Sequence, residues 1–542
     1  MGNNFLNNDD SSKNIVGICM RRTPLLIETV CYCYANGITY VPLEPTWPMN
    51  RMRKVILDAG IKYILTSAEC RIADNDKSWI VIDDVEDLKK IQHGGDMQEL
   101  AYILYTSGST GEPKGVAITR KATQNFMEGL LDRIPMVRGT RIACLTPVTF
   151  DIFFVESIFA KWIQLDVALA NEVQQNNPRE MAKFIANSHI EILQMTPSRL
   201  RMLINYDPDL SCLAYCKIIM VGGEQFPLGL LHILQAKTQA RIYNMYGPTE
   251  ATVWTTIADL TDCDYIHIGQ PIKNTNVYIL NDDLAEIQPT ERGEIYISGD
   301  GLAREYLNEP ALTEQCFIPA PWDKNEILYR TGDIGEKTAT EEMVCIGRMD
   351  NQVKVNGYRI ELEEIESYVS RLSEIHQCMA FVKTLGDHSS VLGVYYTSEK
   401  EINAEFIRTN LEMYLPQYMV PSIFLRVVDF YHTSNGKLDR NRRPMLMLER
   451  ADKKEINNDL TKQQYRIMQS IRKALPVEVA KTATLHSNLR ALGLNSINYI
   501  FLINTLENEF NVIFPNEKLL VSSFSSIMDM INYIEEIQNV IL

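Results

Sequence analysis

The sequence predicts an α/β protein in three parts. These are a large layered domain with mostly parallel strands, a smaller α+β domain, and a small bundle of about four helices. Three observations predict this order. Up to about residue 348, short apolar runs alternate with amphipathic helical patterns, which is how strands layered with helices read. The stretch Gly347–Glu366 (GRMDNQVKVNGYRIELEEIE) breaks that rhythm with glycines, alternating Val353, Val355 and Tyr358, and then a helical pattern. The segment Glu449–Asn458 (ERADKKEINN) has little to bury and reads as a linker, and from Leu460 to Leu542 the pattern is helical with short breaks. The predicted boundaries are 1–349, 350–448, a linker at 449–459, and 460–542. At 542 residues the chain exceeds what one core holds.

The first element with chemical content is Ala101–Ile118 (AYILYTSGSTGEPKGVAI). An apolar strand, Tyr102–Tyr105, runs into Thr106, Ser107, Gly108, Ser109, Thr110 and Gly111, with Lys114 and Gly115 close behind. Small residues leave backbone N–H groups and hydroxyls free to close on phosphate oxygens, and Lys114 adds a positive charge. The spacing is not that of a Walker A loop. A flexible surface linker is the competing reading, but linkers seldom lie between two apolar strand-like runs.

Four later runs share one design: Ile142–Asp151, Ile190–Ser198, Lys217–Glu224 and Arg241–Glu250. Each is an apolar strand followed at once by Pro, Gly, Thr or an acidic residue. In open parallel sheets, ligands gather at the carboxyl ends of strands, so these loops are predicted to converge on one crevice. Glu250, in Tyr246-Gly247-Pro248-Thr249-Glu250, suits Mg²⁺, which takes one or two carboxylates plus phosphate. Asp333, in Tyr329-Arg330-Thr331-Gly332-Asp333, suits a pair of ribose hydroxyls. For Arg348 and Asp350 the residues alone also allow an ion pair that stabilises a turn. Lys437, in Asn435-Gly436-Lys437-Leu438-Asp439-Arg440, sits on a turn from which it can be aimed at a ligand. Ser496, in Leu492-Gly493-Leu494-Asn495-Ser496, is predicted at a helix N-terminus, a place for a phosphate or for a plain capping serine.

Together these motifs, in this order, resemble the adenylate-forming enzymes. Within that superfamily the chain is similar to an adenylation domain of a nonribosomal peptide synthetase followed by its peptidyl carrier domain. The resemblance covers nearly the whole sequence. It implies ATP and Mg²⁺ as reactants, with contacts from Thr106–Gly111, Lys114, Gly223, Glu224, Tyr246, Gly247, Thr249, Glu250, Asp333 and Arg348. It implies Glu250 as the Mg²⁺ ligand, Tyr246 near adenine, Asp350 as hinge and Lys437 as the catalytic cation. It also implies 4′-phosphopantetheine on Ser496. Physically, a carboxylate attacking the α-phosphorus of ATP brings two anions together, and a lysine bridging both relieves the repulsion.

The amino acid pocket falls, by the same resemblance, on Asp151, Ile152, Val155, Gln194, Met220, Gly222, Met245, Val253 and Trp254. Asp151 faces the substrate ammonium. The rest are mostly bulky and leave little room beyond the α-carbon, close to the family pattern for glycine. Alanine or another small amino acid is the alternative substrate. A free-standing acyl- or aryl-CoA synthetase-like ligase is the alternative class, and Asp151 and the Ser496 bundle speak against it. The implied partners are a phosphopantetheinyl transferase, condensation or other synthetase domains, and an MbtH-like protein.

Bulk properties bound the rest. The net charge of −16 argues against a general nucleic-acid or membrane-surface role. The eleven cysteines lack CxxC pairs and read as reduced thiols of a cytoplasmic protein. No stretch has the apolar length of a membrane span, and the polar start MGNNFLNNDD reads neither as a signal peptide nor, with Leu6, as a myristoylation site. Three departures from the family stand out. MGNNFLNNDDSSKN replaces some tens of residues usual ahead of Ile15–Pro45, so the large domain is predicted to be N-terminally shortened. Arg120 stands where histidine is frequent. Gly-Leu-Asn-Ser replaces the usual Gly-Gly-Asp-Ser at the carrier serine.

Overall fold

The computed structural model describes residues 15–541 apart from 72–77, 92–98, 109–110, 356, 385–389, 433–437, 441, 443, 446–460, 476–479, 481–482, 490–491, 493, 495, 511, 513, 515–517 and 519–522. The chain divides into two compact units, one of residues 1–108 and 112–359, the other of residues 109–111 and 360–542.

The first unit holds two seven-stranded sheets and a smaller antiparallel one. In the first sheet, Ile15–Cys19, Thr39–Leu43, Tyr63–Thr66 and Ser78–Val81 run parallel. Its strand Leu100–Thr106 pairs antiparallel with Lys114–Thr119, Thr106 opposite Lys114, so the Gly/Ser/Thr segment is a hairpin connection. Alternation along both strands sends side chains to two cores. Tyr102 and Leu104 join a large cluster with Phe126, Phe154 and Trp254, while Ile103 and Tyr105 pack on the other face.

The second sheet contains the four predicted strands side by side. They are Arg141–Cys144, Ile192–Met195, Ile218–Gly222 and Arg241–Tyr246, all parallel. Their carboxyl ends therefore share one edge, as the sequence pattern predicts. Leu193, Met195, Ile219 and Val221 face one core, and Ile192, Ile218, Met220 and Met245 face the other. The third sheet is antiparallel and includes Thr275–Leu280, Arg292–Gly299 and the long strand Ile327–Lys337, which pairs with Met343–Arg348. A two-stranded ribbon follows, Gln352–Val355 with Tyr358–Glu361.

In the second unit, residues 377–426 form a three-stranded sheet of Gln377–Thr384, Ser390–Thr397 and Ile423–Arg426, with helices Leu362–Val369 and Ala404–Glu412. This is the predicted α+β arrangement. Among the described residues of 460–542 there are three helices longer than a turn: Lys462–Ala474, Ser496–Phe510 and Ile527–Ile541. The remainder of the predicted bundle falls partly outside the described residues. Thr461 caps the first helix by accepting from the Gln464 amide, and Gln464 closes the box in return. Their apolar faces enclose a core that includes Ile471, Leu502, Leu506, Phe514 and Ile531.

All eleven cysteines are free thiols. Burial pushes Cys19 and Cys216 up to about 12, which keeps them protonated and inert. Among the described residues, no helix is long and apolar enough to cross a membrane.

Candidate active site

The five-residue loop Tyr246–Glu250 leaves the end of strand Arg241–Tyr246 and ties together three groups of side chains. Gly247 permits the path. A Cβ there would stand 2.6 Å from both the Thr255 amide and the Trp254 Cα. The segment after it is strained. Thr252 and Val253 are β-branched yet sit at φ of 58° and 66°, and Thr252 Oγ1 offsets part of that cost by donating to Gly301 at 2.7 Å.

The first group surrounds Glu250, whose side chain is fully buried. Tyr306 donates its hydroxyl to Glu250 Oε1 at 2.7 Å, and Lys114 Nζ lies 3.4 Å from the same oxygen. Lys114 also donates to Tyr306 at 3.2 Å and sits 4.3 Å from the centre of its ring. Arg359 donates to Glu250 Oε2 at 2.6 Å. Burial works to protonate Glu250, but the charges of Arg359 and Lys114 and the hydrogen bonds outweigh it and hold the carboxyl well below the usual range. A carboxylate kept ionised in this way fits Mg²⁺ chemistry, which asks for one hard anionic ligand and leaves the other positions to phosphate and water. Ser107, from the hairpin connection, donates its hydroxyl to the Arg359 carbonyl at 2.9 Å. The neighbouring Thr106 Oγ1 is buried without a hydrogen-bond partner among the described residues, a polar atom that suits a ligand oxygen.

The second group surrounds Asp333. It pairs across the strands with Arg348, which donates to Asp333 Oδ1 at 2.6 Å, while Tyr246 donates to Oδ2 at 2.7 Å. Arg348 also grips Asp350 through two nitrogens, each at 2.6 Å. The ion pair that the residues alone allowed is therefore present. Gly332, at φ 72°, makes room for it, since a Cβ would lie 2.9 Å from Arg348 Nη2 and 3.0 Å from Asp350 Oδ2.

The third group surrounds Asp151, to which Thr249 donates at 2.5 Å. Burial pushes the Asp151 carboxyl up, opposed by Thr249, the Ile152 amide and the charge of Lys354. Ile152, Val155, Met220, Met245, Val253 and Trp254 are all buried in one apolar cluster. Gln194 lies opposite Met220 in the sheet register, and its Nε2 is buried without a partner among the described residues. A Cβ on Gly222 would meet Met245 O at 2.8 Å and Trp254 Nε1 at 3.2 Å, so this wall packs tightly. Gly223 and Glu224 follow the same strand. Glu224 accepts from the Ser198 amide at 3.0 Å and from its hydroxyl at 2.6 Å.

Gly108 follows Ser107 directly, and Gly111 belongs by contacts to the second unit. Ser109, Thr110 and Lys437 lie outside the described residues. Ser496 is the first residue of helix Ser496–Phe510.

Sequence reasoning missed Tyr306 and Arg359, which partner Glu250 alongside Lys114. The signal available was indirect: a buried Lys and Glu rarely stand without further polar partners. It also missed Glu156. That buried carboxylate accepts from the Leu145 and Thr146 amides at 2.9 and 2.7 Å and from Thr146 Oγ1 at 2.9 Å, which fixes the loop leading to Asp151.

The AMP-binding enzyme family matches residues 4–307, and the phosphopantetheine attachment site matches residues 466–534. The dimodular nonribosomal peptide synthase of Bacillus subtilis (strain 168) is 33% identical over 447 residues, which are 80% of this chain and 19% of that protein. A holo four-domain nonribosomal peptide synthetase solved with AMP and glycine is 30% identical with a TM-score of 0.58, over 97% of this chain and 39% of that one. A holo synthetase protein with adenylation and PCP domains, bound to a vinylsulfonamide inhibitor, shares the fold at a TM-score of 0.75 and 21% identity, over 97% of this chain and 88% of that one. The chain belongs to the AMP-binding enzyme family and joins an ATP-dependent adenylating ligase domain to a phosphopantetheine carrier domain of the nonribosomal peptide synthetase type. It spans about a fifth of the length of the curated relative quoted above.

Proposed function

We propose that this chain activates glycine as glycyl-AMP with Mg·ATP and loads it as a thioester at Ser496, as one step of nonribosomal peptide synthesis. The observation that carries the reading is the loop Tyr246–Glu250. It bonds Asp333 through Tyr246 and Asp151 through Thr249, and it presents Glu250 beside Lys114. A ribose acceptor, an ammonium acceptor and a metal ligand are thereby held by five consecutive residues.

In this reading Asp151 takes the substrate ammonium, and the bulky, buried Met220, Met245 and Trp254 leave little room beyond the α-carbon. Excluding one methyl by sterics is the only strong lever available, because a methyl that fitted would gain just ~1–3 kcal/mol. The glycine bound to the four-domain synthetase of known structure supports the same substrate. Glu250 would hold Mg²⁺, which neutralises charge on the phosphates. Lys437 would bridge the attacking carboxylate and the α-phosphate, and Asp350 would serve as the hinge between half-reactions. The phosphopantetheine thiol supplies the nucleophile for the second half-reaction. A phosphopantetheinyl transferase and condensation or other synthetase domains are the proposed partners.

Intact mass tests the reading. Incubation with a phosphopantetheinyl transferase and CoA should add one phosphopantetheine, lost in Ser496→Ala. Glycine and ATP should then add one glycyl group. A holo form that takes up alanine in preference to glycine would contradict the substrate, and one that takes up no amino acid would contradict the activity.

A further inference from the structure

The residue that occupies Glu250 is also the residue that occupies Ser107. Arg359 donates from Nη1 to Glu250 Oε2 at 2.6 Å, and its carbonyl accepts the Ser107 hydroxyl at 2.9 Å. One residue therefore engages both a phosphate-loop hydroxyl and the carboxylate assigned to the metal. Its neighbour Tyr358 packs edge-on against Phe150, at 4.9 Å between ring centres, next to Asp151. The contacts are enclosed: the Glu250 side chain is 0% exposed and that of Arg359 is 17% exposed.

The charges explain why a cation is needed there. A buried carboxylate without a full partner is strongly disfavoured. Lys114 is 3.4 Å away and shared with Tyr306, so it satisfies Oε1 and leaves Oε2 to another donor. Mg²⁺ held by Glu250 would supply the positive charge that this oxygen needs. When it leaves, the same oxygen needs a replacement of like sign.

We propose that Arg359 is that replacement, an internal cation that competes with Mg·ATP for Glu250 and Ser107 and holds the crevice closed to nucleotide until it withdraws. This rests on the reading of Glu250 as the metal ligand. ATP then binds only the fraction of molecules whose Arg359 has left, and its apparent affinity is lowered by that fraction. The arginine also keeps the site from reloading with nucleotide while its side chain remains on Glu250.

The test is calorimetric titration of the full chain with Mg²⁺ and an ATP analogue that cannot be cleaved, without amino acid. Arg359→Ala and Arg359→Gln should each bind the Mg·analogue about tenfold more tightly than wild type. Unchanged or weaker binding in variants that still melt cooperatively overturns the proposal. Hydrogen–deuterium exchange of the wild-type chain decides the matter if neither variant folds. The Mg·analogue should speed exchange at residues 352–359, and unaltered or slower exchange there contradicts the proposal. Glu250→Gln separates this from the underlying assignment. It should abolish the Mg²⁺ dependence of analogue binding, and retention of that dependence would remove Glu250 as the ligand whatever Arg359 does.

Discussion

Thr249 donates its hydroxyl to Asp151 at 2.5 Å, across 98 residues of sequence. The residue after Thr249 is Glu250, so the carboxylate proposed for a metal and the carboxylate proposed for an ammonium are fixed by adjacent positions of one short turn. A shift in that turn disturbs both ends of the reaction at once.

Amino acid binding should therefore carry a pH limb set by Asp151. Burial raises its folded-state pKa, so the proton stays on to higher pH than in water. An ammonium binds the ionised form, and affinity falls as pH drops through that raised value. Titration of glycine KM against pH should show the limb in wild type. Asp151→Asn should bind weakly with no limb. A wild-type KM that does not rise as the pH is lowered contradicts the role.

Gly332→Ala should loosen the Arg348–Asp350 clamp. The new methyl meets Arg348 Nη2 at 2.9 Å and forces a left-handed backbone on a residue with a Cβ. The cost is about 1–2 kcal/mol of stability, with weaker ATP binding because Arg348 also holds Asp333. Thermal melts and ATP titration check this. A variant with unchanged melting and unchanged ATP affinity would show that the close approach is unimportant.

Glu44 gives a stability prediction of opposite sign to that of most carboxylates. Burial is the main cause of its rise to about 7, Glu172 adds to it and Arg22 opposes it. The folded state then holds a proton that the unfolded state has already lost. The stabilisation is complete below about 4.5 and disappears as pH rises through about 7. Glu44→Gln should gain about 1–3 kcal/mol at pH 8 and almost nothing at pH 5. Urea melts at the two pH values measure it, and an equal gain at both would be inconsistent with this account.

Lys437→Ala should slow adenylation by two to three orders of magnitude. One charge pair at ~4 Å in an effective dielectric of ~20 is worth roughly 4 kcal/mol, or about a thousandfold. Thioester formation from supplied glycyl-AMP should be spared. Equal loss in both half-reactions would indicate a structural role.

Much of the site was legible because its signals are local. A strand that ends in Tyr-Gly-Pro-Thr-Glu states within a few residues both where its carboxyl end lies and what it presents. The convergence of four such loops followed from parallel pairing alone. What was hidden is long-range. Tyr306 is 56 residues and Arg359 109 residues from Glu250, and neither sits in a loop that advertises a ligand. The antiparallel third sheet was hidden too. Its strands lie among runs of ordinary alternation, and period alone does not tell which way a neighbour runs.

The most direct measurement is amino-acid-dependent ATP–pyrophosphate exchange over a panel of amino acids. The account predicts exchange fastest with glycine, clearly slower with alanine, and near background with larger side chains. Faster exchange with alanine or a bulky amino acid would contradict the packed pocket, and exchange with no amino acid at all would contradict the crevice as an adenylation site.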